Sequence, residues 1–109
     1  MPDLTGRRIL VTGAAQGLGR AIARHCAGQG AEMLLMDRDG EGLAATLAAC
    51  PGARGAQVDL SDADATARAI AGLVTAPVDA LIHNAAILKV EPVETVSLAT
   101  FQATMNVGL

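Results

Sequence analysis

Four short apolar runs, each closing on Gly, Asp or Asn and each separated from the next by a stretch with helical spacing, leave this chain few ways to fold. The runs are Arg8–Thr12 (RILVT), Glu32–Met36 (EMLLM), Gly55–Leu60 (GAQVDL) and Asp79–His83 (DALIH). Short runs rich in Val, Ile and Leu read as buried strands, and strands alternating with helices imply βαβ units around a parallel sheet. The expected fold is α/β: a Rossmann-like doubly wound parallel sheet in three α/β/α layers, with about four strands present over residues 1–109.

Three helical segments separate the strands. From Gly17 to Gly30 the apolar residues Leu18, Ala21, Ile22 and Cys26 recur at helical spacing, and Gly30 is placed to stop the helix. Glu41–Cys50 has helix-forming composition and ends at Pro51-Gly52. Ser61-Asp62-Ala63-Asp64 predicts an N-cap with acid in the first turn, opening a helix to about Val74. Residues 87–96, with Pro92, read as a loop, and Ser97 caps a further helix running to Leu109. Of the 109 residues, 51% are hydrophobic and Phe101 is the only aromatic, which suits strands buried on both faces or a piece of a larger body.

The loop between the first strand and first helix is Thr12-Gly13-Ala14-Ala15-Gln16-Gly17-Leu18-Gly19. It lies at the carboxyl edge of the sheet, where such folds bind ligands. Glycine there permits positive φ, close backbone approach to a phosphate and tight helix–strand packing. The helix N-terminus then favours an anion. The Walker pattern fails, because Leu18 stands where its second Gly belongs and no Lys follows; G-x-G-x-x-G fails at Ala15. Asp37 follows Gly19 by 18 residues, near the ~20-residue offset of an acid that binds an adenosine ribose. Asp59 and Asn84-Ala85-Ala86 close the third and fourth strands on the same rim, although Asp and Asn also close turns.

Net charge is −3, with six basic and five acidic residues in 1–54 against two and six in 55–109, which argues against nucleic acid or an anionic membrane as partner. Cys26 and Cys50 form no C-x-x-C unit, so no metal site is expected and both read as buried thiols in a reducing compartment. MPDLTGRR has no apolar core for a signal peptide and no run approaches a membrane span, so the expected location is cytoplasmic. His83 and His25 read as structural groups.

These residues resemble the short-chain dehydrogenases/reductases. Their T-G-x-x-x-G-x-G signature is matched by Thr12–Gly19, and the family's Asn-Asn-Ala-Gly stretch by His83-Asn84-Ala85-Ala86, with the central Asn-Ala kept. The resemblance implies a dinucleotide cradle of Gly13, Ala15, Gln16, Gly17, Leu18, Gly19, Asp37, Arg38, Asp59, Leu60, Asn84, Ala85 and Ala86. Asp59-Leu60 would meet the adenine ring. Asn106, in Met105-Asn106-Val107-Gly108, resembles the helix Asn that organises the family's catalytic group. The implied activity is hydride transfer between NAD(P) and a small alcohol or ketone, in a homo-oligomer. The family uses a Ser and a Tyr-x-x-x-Lys pair, yet these 109 residues hold no tyrosine and one lysine, Lys89.

Asp37 would repel a 2′-phosphate and so favours NAD over NADP, against which Arg38 could clamp that phosphate. Two other readings stay open: a non-catalytic dinucleotide-binding module, and a methyltransferase-type domain, though the acid-x-Gly-x-Gly loop of the latter is missing. The 109 residues alone are expected to be inactive, with the fourth strand an unprotected edge that invites aggregation.

Overall fold

The computed structural model describes residues 3–84 and 88–92, with the side chains of 88–92 outside the description. Strand β1 is Arg8–Thr12, helix α1 Gly17–Gly28, β2 Glu32–Asp37, α2 Gly40–Ala49, β3 Arg54–Gln57, α3 Ala63–Leu73, β4 Ala80–Asn84 and β5 Leu88–Pro92. The sheet order is β3-β2-β1-β4-β5. The first four strands are parallel, as the alternation requires.

Side chains of successive strand residues leave opposite faces of the sheet, and the core divides accordingly. Ile9, Val11, Met33, Leu35 and Ile82 pack with Ala23 and Cys26 of α1 and Leu43 of α2. Leu10, Leu34, Met36 and Leu81 pack on the other face with Leu73 of α3. Three layers result, with β1, β2 and β4 buried on both sides, while β3, at the edge of the sheet, is largely exposed. Cys26 and Cys50 are buried free thiols, and burial pushes both above the ordinary thiol range, so they pack as small apolar groups.

Helix ends follow their side chains. Asp39 caps α2 by accepting from the Gly42 N–H at 3.0 Å, and Asp62 caps α3 by accepting from the Ala65 N–H at 3.0 Å. Gly30, at φ +94°, turns the chain out of α1.

Three expectations need correction. The buried face of α1 is Gly19, Ala23 and Cys26, one position round from the anticipated stripe, and Leu18 is 56% exposed. The reason is closeness: small residues let the helix lie near the sheet, so they take the inner face and Leu18 turns out. The third strand ends at Gln57 because its partner β2 ends opposite, at Asp37, so Asp59 lies in the turn beyond.

Residues 88–92 form a strand rather than a loop, antiparallel to β4 with Ile82 opposite Val90 and Ala80 opposite Pro92. L-K-V-E-P alternates apolar and charged residues, which is strand periodicity, and the free edge of β4 carries N–H and C=O groups that need partners. Pro92 closes the strand, where a missing N–H costs least. The edge of β4 is therefore covered. The helix expected after Ser97, with Asn106, lies outside the described residues, as do Ala85 and Ala86. Among the described residues no helix is long and apolar enough to cross a membrane, and no three His, Cys, Asp or Glu side chains gather in a way that could hold a metal ion.

Leu34 is fully buried between β1, β3 and the α3 face. Leu34→Ala should lower unfolding free energy by about 2–5 kcal/mol, while Leu18→Ala should change it by less than about 0.5 kcal/mol. Urea titrations of the two variants check this; equal losses would contradict the assignment of the two side chains.

Candidate functional site

The strand order reverses beside β1: the chain builds outward through β2 and β3, then returns to the other side of β1 as β4. Crevices at the carboxyl ends of strands form at such switch points. Thr12 pairs in register with Met36 and with His83, so the next residues, Gly13, Asp37 and Asn84, come to one level at the sheet's rim.

Gly13 sits at φ +69°, and a Cβ there would lie 2.0 Å from the Asn84 carbonyl oxygen. Gly19 is excluded from bearing a side chain for a different reason: its Cβ would lie 1.9 Å from the Gly13 carbonyl oxygen and 2.7 Å from Asn84 Nδ2. The Asn84 amide donates to the Gly13 carbonyl at 3.3 Å, and the Asn84 N–H donates to Thr12 Oγ1 at 3.2 Å. Thr12 Oγ1 also shares a hydrogen bond with His83 Nδ1 at 2.8 Å, in a site where His83 is 2% exposed. His83 is thus part of the joint between β1 and β4. His25 is exposed in the last turn of α1.

The loop also leans on β2. Met36 accepts from the N–H groups of Gly13 and Ala14 at 2.9 and 3.3 Å. Asp37 Oδ2 accepts from the Ala15 N–H at 3.0 Å, and Asp37 Oδ1 from the Asp39 N–H at 2.9 Å. Each carboxylate oxygen keeps further accepting capacity. Beyond β3, Asp59 Oδ1 accepts from the Ser61 N–H at 3.0 Å and the Ser61 hydroxyl at 2.7 Å. The Ser61 hydroxyl first, then its N–H and the Arg38 guanidinium, hold the exposed Asp59 carboxyl below the usual range.

A groove of ≈ 510 Å³ runs along this rim, lined by Gly13, Gln16, Asp37, Arg38, Val58, Asp59, Leu60, Ser61 and Asn84. That volume lies in the range of small-molecule sites, roughly 300–1,000 Å³. Seven of the residues expected to form a site line it. Gly17 and Leu18 stand exposed at the start of α1, while Ala15 and Gly19 are buried behind it.

Among the three described helices α1 differs at its N-terminus. Its N-cap, Gln16, makes no side-chain cap hydrogen bond and no acid stands in its first turn. Helices α2 and α3 are capped by Asp and carry Glu41 and Asp64 in their first turns. Among the described residues the positive end of α1 is left without a capping side chain or a first-turn acid beside the groove, an arrangement suited to an anion.

Sequence reasoning marks Ser61 only as part of a helix cap, and Arg20, Gly42 and Thr46 not at all. Arg20 carried a signal, since a cation in a first helical turn opposes the dipole and needs local acceptors. It finds them in Thr46 Oγ1, the Gly42 carbonyl and the Ala15 carbonyl.

The short chain dehydrogenase family profile matches residues 7–109. L-xylulose reductase from Bos taurus is 37% identical over 106 residues, covering 97% of this chain and 43% of its own length. Carbonyl reductase [NADPH] 2 from Sus scrofa is 36% identical, covering 98% and 43%. The crystal structure of a short-chain type dehydrogenase/reductase from Mycobacterium marinum superposes with a TM-score of 0.71 at 25% identity, covering 95% of this chain and 45% of that one. The chain spans less than half the length of the relatives it matches.

Two outcomes follow from the geometry. Gly13→Ala, strained in φ and blocked by backbone, should cost more than about 3 kcal/mol, whereas Gly52→Ala, at φ +81° with open space around it, should cost only about 1 kcal/mol; thermal melts distinguish them. Asp59 should titrate below the ordinary carboxyl value by NMR, and Ser61→Ala should raise it. Because the folded-state value is lowered, the stabilisation from Asp59 is present above the unfolded value, about 3.9, and is lost as pH falls through the folded one.

Proposed function

The chain belongs to the short-chain dehydrogenase family, and from that membership we propose that its groove holds a nicotinamide dinucleotide in an oxidoreductase acting on alcohol or carbonyl substrates. The observation that carries this reading is the uncapped, acid-free start of α1 opening beside Gly13, whose missing side chain lets backbone form the wall. That pair of features fits a pyrophosphate: the dipole favours its charge and bare backbone allows close approach. When bound, the nicotinamide supplies or accepts the hydride.

Each residue of the chain then has a task in binding. Asp37, with spare acceptor capacity on both carboxylate oxygens, takes ribose hydroxyls. Asp59 and Leu60, which line the groove beyond β3, flank the adenine. Asn84 holds the Gly13 carbonyl and so keeps the β4 end of the groove closed. Ala85 and Ala86 continue that wall in this reading, and Asn106 organises the proton-transfer group. The 109 residues contain no tyrosine, so their share of the work is binding and orientation. Residues 1–109 form the dinucleotide-binding domain, and the family resemblance alone extends the reading to a cytoplasmic homo-oligomer.

We assign NAD over NADP on Asp37. Its carboxylate would face a 2′-phosphate with like charge at the rim of the groove. Arg38 offers the opposite pull, but its guanidinium already lies in the field of Asp59. The NADPH in the Sus scrofa protein's name belongs to that protein. Titration of the protein with both reduced cofactors should give at least about tenfold tighter binding of NADH, some 1.4 kcal/mol, and Asp37→Ser should narrow or invert the ratio. Tighter binding of NADPH by the unmodified protein would refute the assignment.

A further inference from the structure

We propose that Arg20 and Thr46 are positioning residues for the anion-binding stretch of the loop: together they hold two loop carbonyls back against α2, and this aims the Gln16 N–H at the groove. The inference rests on the dinucleotide reading above.

Arg20 donates from Nε to Thr46 Oγ1 at 2.9 Å, and from Nη2 to the Gly42 carbonyl at 3.2 Å and to the Ala15 carbonyl. Thr46 is fully buried. Its hydroxyl lies 2.7 Å from the Ala14 carbonyl and 3.2 Å from that of Gly42, and with one proton to give it donates to the nearer. So the carbonyls of Ala14 and Ala15 are both held on the α2 side. Helix α2 comes this close because Gly42 lacks a side chain: a Cβ there would lie 2.9 Å from the Ala15 carbonyl oxygen and 3.0 Å from Ala15 Cβ.

No cis peptide occurs among the described residues, and in a trans peptide the C=O and the following N–H point in opposite directions. The Ala14–Ala15 peptide shows the consequence. Its carbonyl goes to Thr46 while its N–H goes to Asp37, on the other side of the loop. By the same rule, fixing the Ala15 carbonyl on Arg20 turns the Gln16 N–H away from α2, and Gln16 lines the groove. Without the guanidinium this peptide is free to rotate, and the groove loses a fixed donor. The arrangement also accounts for an arginine in the first turn of α1, where the dipole alone would disfavour it.

The test compares Arg20→Met, Thr46→Val and Thr46→Ser with the unmodified protein, well below their melting temperatures, using NADH, ADP and adenosine as ligands. Arg20→Met should weaken NADH and ADP by about tenfold and leave adenosine within about twofold, because the lost donor serves the phosphates. Thr46→Val should do the same in smaller measure, and Thr46→Ser, which keeps the hydroxyl, should bind like the unmodified protein. A merely structural role would lower the melting temperature and move the three ligands together, or none of them; either result overturns the proposal. Thr46→Val carries the same comparison if Arg20→Met does not fold. An unmodified protein that binds neither NADH nor NADPH overturns the dinucleotide reading itself, and this inference with it.

Discussion

Where β1 gives way to α1, the backbone of Gly13 lies so close to that of Asn84 that no side chain fits between them, and Gly19 brings the first turn of α1 onto the same spot. Three elements therefore meet with no room for a side chain on either glycine. The consequences spread outward. The close approach of α1 puts small residues on its inner face and Leu18 on its outer one. The contact with Asn84 ties the loop to β4 across the point where strand order reverses, and the groove opens there.

The loop is held from three directions, and each hold leaves a particular group unspent. Met36 and Asp37 take N–H groups of Gly13, Ala14 and Ala15 on the β2 side. Thr46 and Arg20 take carbonyls on the α2 side. Asn84 takes the carbonyl of Gly13 on the β4 side. Among the described residues, no side chain takes the N–H groups at the start of α1, where α2 and α3 have Asp39 and Asp62 in place. A rigid loop with uncommitted donors at one end is preorganised for an anion, because the cost of ordering it is met in folding and not in binding.

Most of this architecture was legible in the residues. Apolar runs alternating with helical spacing specify parallel strands, buried on both faces in β1, β2 and β4 but not in the edge strand β3, and the glycine spacing with Asp37, Asp59 and Asn84 marks the rim. What could not be read was governed by contacts between distant segments. The phase of α1 depends on how near Gly19 comes to Gly13, which no pattern within the helix reveals. The end of β3 is dictated by the end of β2, its partner in the ladder. Strand β5 was written in the alternation L-K-V-E-P but hidden by Pro92, which reads as a loop residue until its place at the strand's end is seen. Thr46 carried no sign of its role and Arg20 only that of a cation in a first helical turn, because their partners lie as far as 32 positions away along the chain.

The central claim is that the start of α1 and the β2 rim form one dinucleotide-binding surface. Amide chemical shifts measured by NMR as NADH is added test it most directly. The account predicts that the amides of Gln16 to Gly19, Asp37 to Arg38 and Asp59 to Ser61 move together along one saturable curve, while those of Arg24 to Gly28 stay still. Saturable movement confined to other amides, or none at millimolar NADH, would contradict it.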